Sequence, residues 1–355
     1  MDQKEITNCL KEEDLLHLAA LYARADGVRR QCVGDAVHLR GLVEISNYCC
    51  RSCAYCGISS LRQGLTRYRI TREEILACAE QAVNFGFGTL VMQAGEDSGI
   101  KADWLAGIIR EIKTRTPLAV TLSLGERDAE ELALWKEAGA DRYLLRFETS
   151  DPNLYSKIHP PAPGKRSADR IALLKELRGL GYEIGSGIMV GLPGQTYESL
   201  ARDILLFREL DLDMVGIGPY LPHPDTPLAR NVPDMMDAAE QVPGREEMVY
   251  KVIALTRIVC PEANIPSTTA LATINREEGR ELGLSRGANV IMPNLTPLPY
   301  RRLYEIYPAK ACIFETPEDA CKQVKAQILS LGRNPGIGSS GRGHQKINIS
   351  FDKPA

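Results

Sequence analysis

Short apolar runs alternate along this chain with longer stretches whose apolar positions recur every three or four residues. Residues 8–31 are rich in Leu, Ala, Glu and Arg and read as helical. From residue 37 a strand-then-helix alternation begins. VHLRGLVEIS (37–46), GTLVMQAG (88–95), LAVTLSLG (118–125) and DRYLLRFET (141–149) read as strands. So do EIGSGIMVG (183–191), DMVGIGPY (213–220), ANIPSTTA (263–270) and ANVIMPN (288–294). Each after the first follows a helix-like segment. TREEILACAEQAVNFG (71–86), for instance, has a Thr cap, acids in its first turn and a Gly stop.

Strands joined by helical crossovers build parallel sheets. Eight such units predict an α/β fold, a (βα)8 TIM-type barrel over 37–310, with an N-terminal helical extension over 1–36. A short C-terminal extension follows over 311–355, where GRNPGIGSSGRGHQKINISFDKPA reads as a loose, flexible tail. The rival, an open doubly wound sheet, would be expected to carry G-x-G-x-x-G after its first strand, and none is there.

Composition narrows the class. Apolar residues make 44% and charged residues 25% of the 355, ordinary values for a globular enzyme. A net charge of -3 gives no reason to expect nucleic acid or a membrane surface as partner. No apolar run reaches the length of a membrane span, and the first residues are too charged for a signal peptide, so a cytoplasmic location is expected. In a reducing compartment the ten cysteines favour metal binding over disulfides.

NYCCRSCAYCG (47–57) crowds four cysteines behind the first strand. Two registers compete: Cys49, Cys53 and Cys56, or Cys50, Cys53 and Cys56. Zinc normally takes four closed ligands, and no further ligand is within reach in sequence. Three thiolates at the top of a barrel suit a [4Fe–4S] cluster with one iron open to a small molecule.

The remaining candidates gather where barrels do chemistry, at the C-terminal ends of strands. They are Thr121 and Ser123 on the third strand, Arg142, Arg146 and Glu148 on the fourth, and Thr268 and Thr269 on the seventh. Met292 and Tyr304 lie on and after the eighth. Arg142 and Arg146 are four apart and so share a strand face. Two arginines inside a barrel need anionic partners, which a carboxylate ligand or a structural ion pair would supply equally. His223 has no ligand-spaced partner and reads as structural.

C-x3-C-x-aromatic-C, here CCRSCAYC with Tyr55 as the aromatic, resembles the radical S-adenosylmethionine (SAM) signature. That resemblance selects Cys49, Cys53 and Cys56 as cluster ligands and leaves Cys50 spare. QAGED resembles the superfamily's GGE element with Ala94 in place of the first Gly, which puts Gly95 and Glu96 near the SAM ammonium. Longer blocks, TLSLGE, AGADRYLLRFET, GSGIMVGLPGQT, DMVGIGPYLPHPDTPLA and NIPSTTA, resemble the HydE family of [FeFe]-hydrogenase maturases over most of the chain.

The resemblance implies radical SAM chemistry in assembly of the hydrogenase di-iron subcluster (H-cluster), on a cysteine-bound Fe(CO)2(CN) precursor. It also implies transient contacts with partner maturases and an electron donor. It places Tyr55, Gly95, Glu96, Ser123, Glu148, Arg170, Met189 and Met292 against SAM. It places Arg40, Thr121, Arg142, Arg146, Thr268, Thr269 and Tyr304 around an anionic substrate. A biotin-synthase-like enzyme acting on a small amino acid or thioether is the alternative. Some members of the family hold a second cluster on a C-terminal cysteine triplet. Only Cys312 and Cys321 stand here, so no complete second cluster is expected. Cys9, Cys32, Cys78 and Cys260 read as buried thiols.

Overall fold

The computed structural model describes residues 1–161, 169–230, 239–311 and 313–342. Its strands are β1 (Ala36–Ser46), β2 (Thr89–Ala94), β3 (Ala119–Ser123), β4 (Arg142–Leu144), β5 (Glu183–Val190), β6 (Met214–Pro219), β7 (Val290–Ile291) and β8 (Asn334–Pro335). The order β6-β5-β4-β3-β2-β1-β7 is parallel throughout.

The expected seventh strand, 263–270, forms no continuous ladder. Single bridges join Asn264 to Met214 and Pro266 to Val290, and they complete the ring. Pro266 has no N–H to give, and Thr268 already caps the helix Thr269–Ile274. β4 also stops short of the expected 149. Ser186 substitutes for part of its ladder, accepting the Phe147 N–H and donating to the Leu145 carbonyl.

Helices cover the barrel because each has one apolar face to bury. Thr71 and Glu74 form a reciprocal cap on Arg72–Asn84, which buries Ile75, Cys78, Ala79 and Ala82 against the strands. Thr196 caps Tyr197–Glu209 in the same way, with Ser199 as its partner, after the turn at Pro193 and Gly194. The N-terminal helices Gln3–Lys11 and Leu15–Val33 pack over Glu246–Val259, which is buried nearly all round. Among the described residues no helix is long and apolar enough to cross a membrane.

The Gly/Ser-rich end departs most from expectation. As far as Arg342 it is held against the N-terminal end of the barrel. β8 pairs in parallel with Ala36 and Val37, and Gly336 donates to the Val37 carbonyl at 2.7 Å. A Cβ on Gly88 would lie 1.8 Å from the Gly338 carbonyl oxygen, so the two backbones meet only because residue 88 is glycine.

Candidate functional site

The cysteine loop leaves the C-terminal end of β1 and is laced in on every side. The Cys50 N–H reaches the Glu96 carbonyl at 2.9 Å, Ala54 reaches Ile158 at 2.9 Å and Gly57 reaches Ile306 at 2.9 Å. Asn47 donates to the carbonyls of Thr66 and Leu303 and accepts the Tyr68 N–H. Gly95 is required where it stands: a Cβ there would lie 2.3 Å from the Tyr48 carbonyl oxygen and 2.7 Å from the Cys49 Cβ.

Cys53 is buried, Cys49 and Cys56 are half-buried and Cys50 is exposed. Burial pushes the Cys53 thiol up to about 11, against a lowering by Arg170 and a further rise from Cys49. Burial raises Cys56 as well, and Cys53 and Cys49 add to it. Three thiols gathered on one loop form a donor set that bound iron would ionise and neutralise. Among the described residues no three His, Cys, Asp or Glu side chains converge as one bound ion requires. A cluster differs, since each thiolate holds a separate iron. The donor set thus fits a [4Fe–4S] cluster. Of the other cysteines, Cys78 and Cys321 are buried, Cys9 and Cys260 half-buried, and Cys32 is exposed rather than buried. Cys312 lies outside the described residues.

Beneath the loop the barrel encloses a cavity of about 340 Å³. Alternate residues line it: Arg40, Leu42 and Glu44 from β1, Val91 and Gln93 from β2, Thr121 and Ser123 from β3. Of the residues implied for SAM, Tyr55, Gly95, Ser123, Glu148, Arg170, Met189 and Met292 line it too. Glu96 sits beside it and accepts the Glu126 N–H at 2.9 Å, and burial raises its carboxyl pKa. Arg170 is buried and donates to Glu126 at 2.9 Å, to the Arg146 carbonyl at 2.7 Å and to His159 at 3.2 Å.

Arg40, Thr121, Arg146, Thr268, Thr269 and Tyr304 also line the cavity. Among the described residues Arg40 Nε, Thr121 Oγ1 and Thr268 Oγ1 are buried without a hydrogen-bond partner. Buried polar atoms are rarely left so. Among the described residues Arg40 makes no salt bridge, though Glu183 is near enough to act on its charge: its other nitrogens reach Met214 Sδ at 3.0 Å and Ser340 Oγ at 3.1 Å. Burial, then the nearby Arg142, lowers its pKa to about 9. A guanidinium and hydroxyls left so along one cavity are groups able to donate to an anionic ligand.

Arg142 corrects the expectation drawn from its shared face with Arg146. It does not line the cavity. Its guanidinium is occupied by Glu183 at 2.5 Å, the Ser339 carbonyl at 2.7 Å and Thr89 Oγ1 at 3.1 Å. With its guanidinium taken up there, Arg142 is not placed to share a ligand carboxylate with Arg146, which lines the cavity.

Glu44 and Lys310, a buried ion pair lining the cavity, were missed. Glu44 follows Arg40 and Leu42 in the inward alternation and was detectable; Lys310 sits in a loop with no such signal. His159, buried between Tyr55 and Arg170, was also missed. Tyr307 lines the cavity as well. His223 is buried and held by Arg62 at 3.0 Å, a structural setting.

The radical SAM superfamily model matches residues 43–207. The chain is 49% identical over 323 residues, 91% of its own length and 88% of the relative's, to the [FeFe] hydrogenase maturase subunit HydE of Thermotoga maritima. It is 29% identical to the 3-methylornithine synthase of Methanosarcina acetivorans over 82% of this chain and 77% of that one. Among solved structures, a methylornithine synthase superposes with a TM-score of 0.80 over 94% of both chains at 24% identity. The maturase HydG superposes with 0.76 over 96% of this chain and 73% of that one at 18% identity, a likeness of fold alone. A shared barrel, a three-cysteine loop over its mouth and this extent of identity agree: the chain belongs to the HydE family of [FeFe]-hydrogenase maturases, radical SAM enzymes.

Proposed function

We propose that Cys49, Cys53 and Cys56 hold a [4Fe–4S] cluster, that SAM lies under it, and that the substrate is a small anionic, cysteine-bound Fe(CO)2(CN) precursor of the hydrogenase di-iron subcluster. The cluster and SAM together supply a 5′-deoxyadenosyl radical on reduction. The remaining work falls to this chain's own side chains.

The observation that carries the substrate reading is the set of unpartnered buried atoms, Arg40 Nε, Thr121 Oγ1 and Thr268 Oγ1, in one cavity. Such atoms suit a small ligand that carries a carboxylate: a guanidinium supplies charge and hydroxyls donate, with Thr268 Oγ1, beside Gly218, standing higher in the cavity than Arg40, which touches Met214. Arg40 lies six residues before the end of β1, about 20 Å along the strand from the cysteine end. That length gives room for SAM above and an anchored amino acid below. Leu42, Val91, Leu144 and Pro266 keep the space between apolar, so charge interactions there are weakly screened. Arg146 and Glu148 stand where the two ligands would meet, and Tyr304, whose hydroxyl accepts from Gln93 at 3.2 Å, closes the opposite wall. The partners consistent with this role are the other maturases and a one-electron donor.

The test has two stages. Anaerobically reconstituted, reduced protein given SAM should release 5′-deoxyadenosine. The gene should then restore [FeFe]-hydrogenase activity to a strain lacking its own HydE. Cleavage without complementation would sink the precursor reading and leave a small amino acid as substrate.

A further inference from the structure

The segment Gly336–Arg342 lies across the foot of the barrel, and its contacts run to strand after strand. Gly336 lies against His38, Gly338 against Gly88, and Gly341 against Glu183. The Ser339 carbonyl accepts from Arg142 and from Thr89. Arg342 ties the far end to Asp211 at 2.8 Å and Glu262 at 3.1 Å.

Ser340 stands at the centre of this floor. Its carbonyl accepts from Asn264 Nδ2 at 3.0 Å, and its Oγ accepts from Arg40 Nη2 at 3.1 Å. Its backbone has φ +50, a left-handed value that is uncommon for a residue with a side chain. A glycine in its place would serve that turn with less strain. A serine kept in a glycine's conformation points to work for its hydroxyl.

We infer that the C-terminal segment is a positioning element of the substrate site: Ser340, with Met214, sets the pose of Arg40 and so presents its unpartnered Nε to the cavity. This rests on the reading of Arg40 as the anion anchor. Arg40 has five N–H donors and, among the described residues, no carboxylate within salt-bridge distance, so its hydrogen bonds go to neutral acceptors. Ser340 is 300 residues away in sequence and supplies one of the two. A buried guanidinium freed from that acceptor would turn, and the fork it offers to a carboxylate would be lost.

The probe is S-methyl-L-cysteine, a carboxylate-bearing thioether with no free thiol to attack the cluster. Its affinity is measured anaerobically by calorimetry on the cluster-bearing protein in the presence of SAM. Ser340→Gly removes the hydroxyl and suits the left-handed turn, so the fold should hold. It should weaken the probe about tenfold, the effect of one hydrogen bond to a charged group. Thermal midpoint, iron content and SAM affinity should stay at parent values. Ser340→Ala, which keeps the segment stiffer, should show the same loss.

Parent-like probe affinity in Ser340→Gly overturns the inference. So does a loss confined to the glycine variant, which would reflect backbone loosening, or a loss matched by falling iron content. Arg40→Met separates the two readings. If it weakens the probe while Ser340→Gly does not, only the positioning role fails. If Arg40→Met binds as the parent does, or the parent does not bind the probe, the anchor reading fails and takes this one with it.

Discussion

Arg146 reaches only two residues along the chain to Glu148: Nη2 lies 3.0 Å and Nε 3.2 Å from the same carboxylate oxygen, Oε2. The pair is held inside the barrel by an odd piece of backbone. Glu148 sits at φ +66, with its N–H on the Gly187 carbonyl at 3.0 Å. A left-handed residue with a Cβ costs about 1–2 kcal/mol. That strain at a cavity wall is consistent with a functional carboxylate.

Glu148→Gln should keep this shape while removing the charge. SAM affinity should fall about tenfold, the worth of a charge-assisted hydrogen bond, with iron content unchanged. Equilibrium SAM binding is the measurement. An unchanged affinity would leave Glu148 as a structural partner of Arg146.

Cys49→Ser, Cys53→Ser and Cys56→Ser should each lose the cluster and with it SAM cleavage, because each removes the anchor of one iron. Cys50, exposed beside them and 3.5 Å from Glu96 Oε1, should be dispensable for iron binding. Fully reconstituted Cys50→Ala should carry about four irons per chain, the content of one cluster. Iron and sulfide analysis checks both statements, and retention of the cluster in Cys49→Ser would mean the other register.

Arg142 and Arg40 should separate stability from binding. Arg142 is buried against Glu183, Thr89 and the Ser339 carbonyl. Removing one partner of a buried pair costs about 3–5 kcal/mol. Arg142→Met should therefore lower the thermal midpoint by several degrees and weaken S-methyl-L-cysteine far less than Arg40→Met does. The reverse pattern, in paired thermal and calorimetric runs, would return Arg142 to the substrate site.

Asp203 predicts a pH dependence. It is buried under the turn after Glu148 and accepts both the N–H and the hydroxyl of Ser150. Burial raises its pKa to about 7. The Ser150 hydrogen bonds and Arg202 pull it down, and Asp151 pushes it up. The folded carboxyl thus binds its proton more tightly than the unfolded one, whose pKa is about 3.9. Folding is favoured most below about pH 4. That advantage is lost at about 1.4 kcal/mol per unit as pH rises towards 7 and is gone above it. Asp203→Asn has no proton to lose. Its stability relative to the parent should climb between pH 4 and 7 and level off above, in chemical unfolding at a series of pH values.

The alternation of apolar runs and helical stretches was enough to place the barrel staves from 37–46 to 288–294 except 263–270, which forms only single bridges, because both patterns are local in the chain. The cysteine loop was legible for the same reason, and the resemblance favoured Cys49, Cys53 and Cys56 over the register that starts at Cys50. Period-two alternation also tells that Arg40, Leu42 and Glu44 share a face. It carries no information about depth, which is why Arg142 and Arg146 read as a pair although one lies on the floor and the other in the cavity. Nor does it say which distant segment a side chain meets. Glu44 finds Lys310, and Arg40 finds Ser340, only after the ring has closed. The Gly/Ser-rich end shows the limit most plainly. Missing side chains read as looseness in one dimension. In three dimensions they permit the approach of Gly338 to Gly88 that closes the barrel foot.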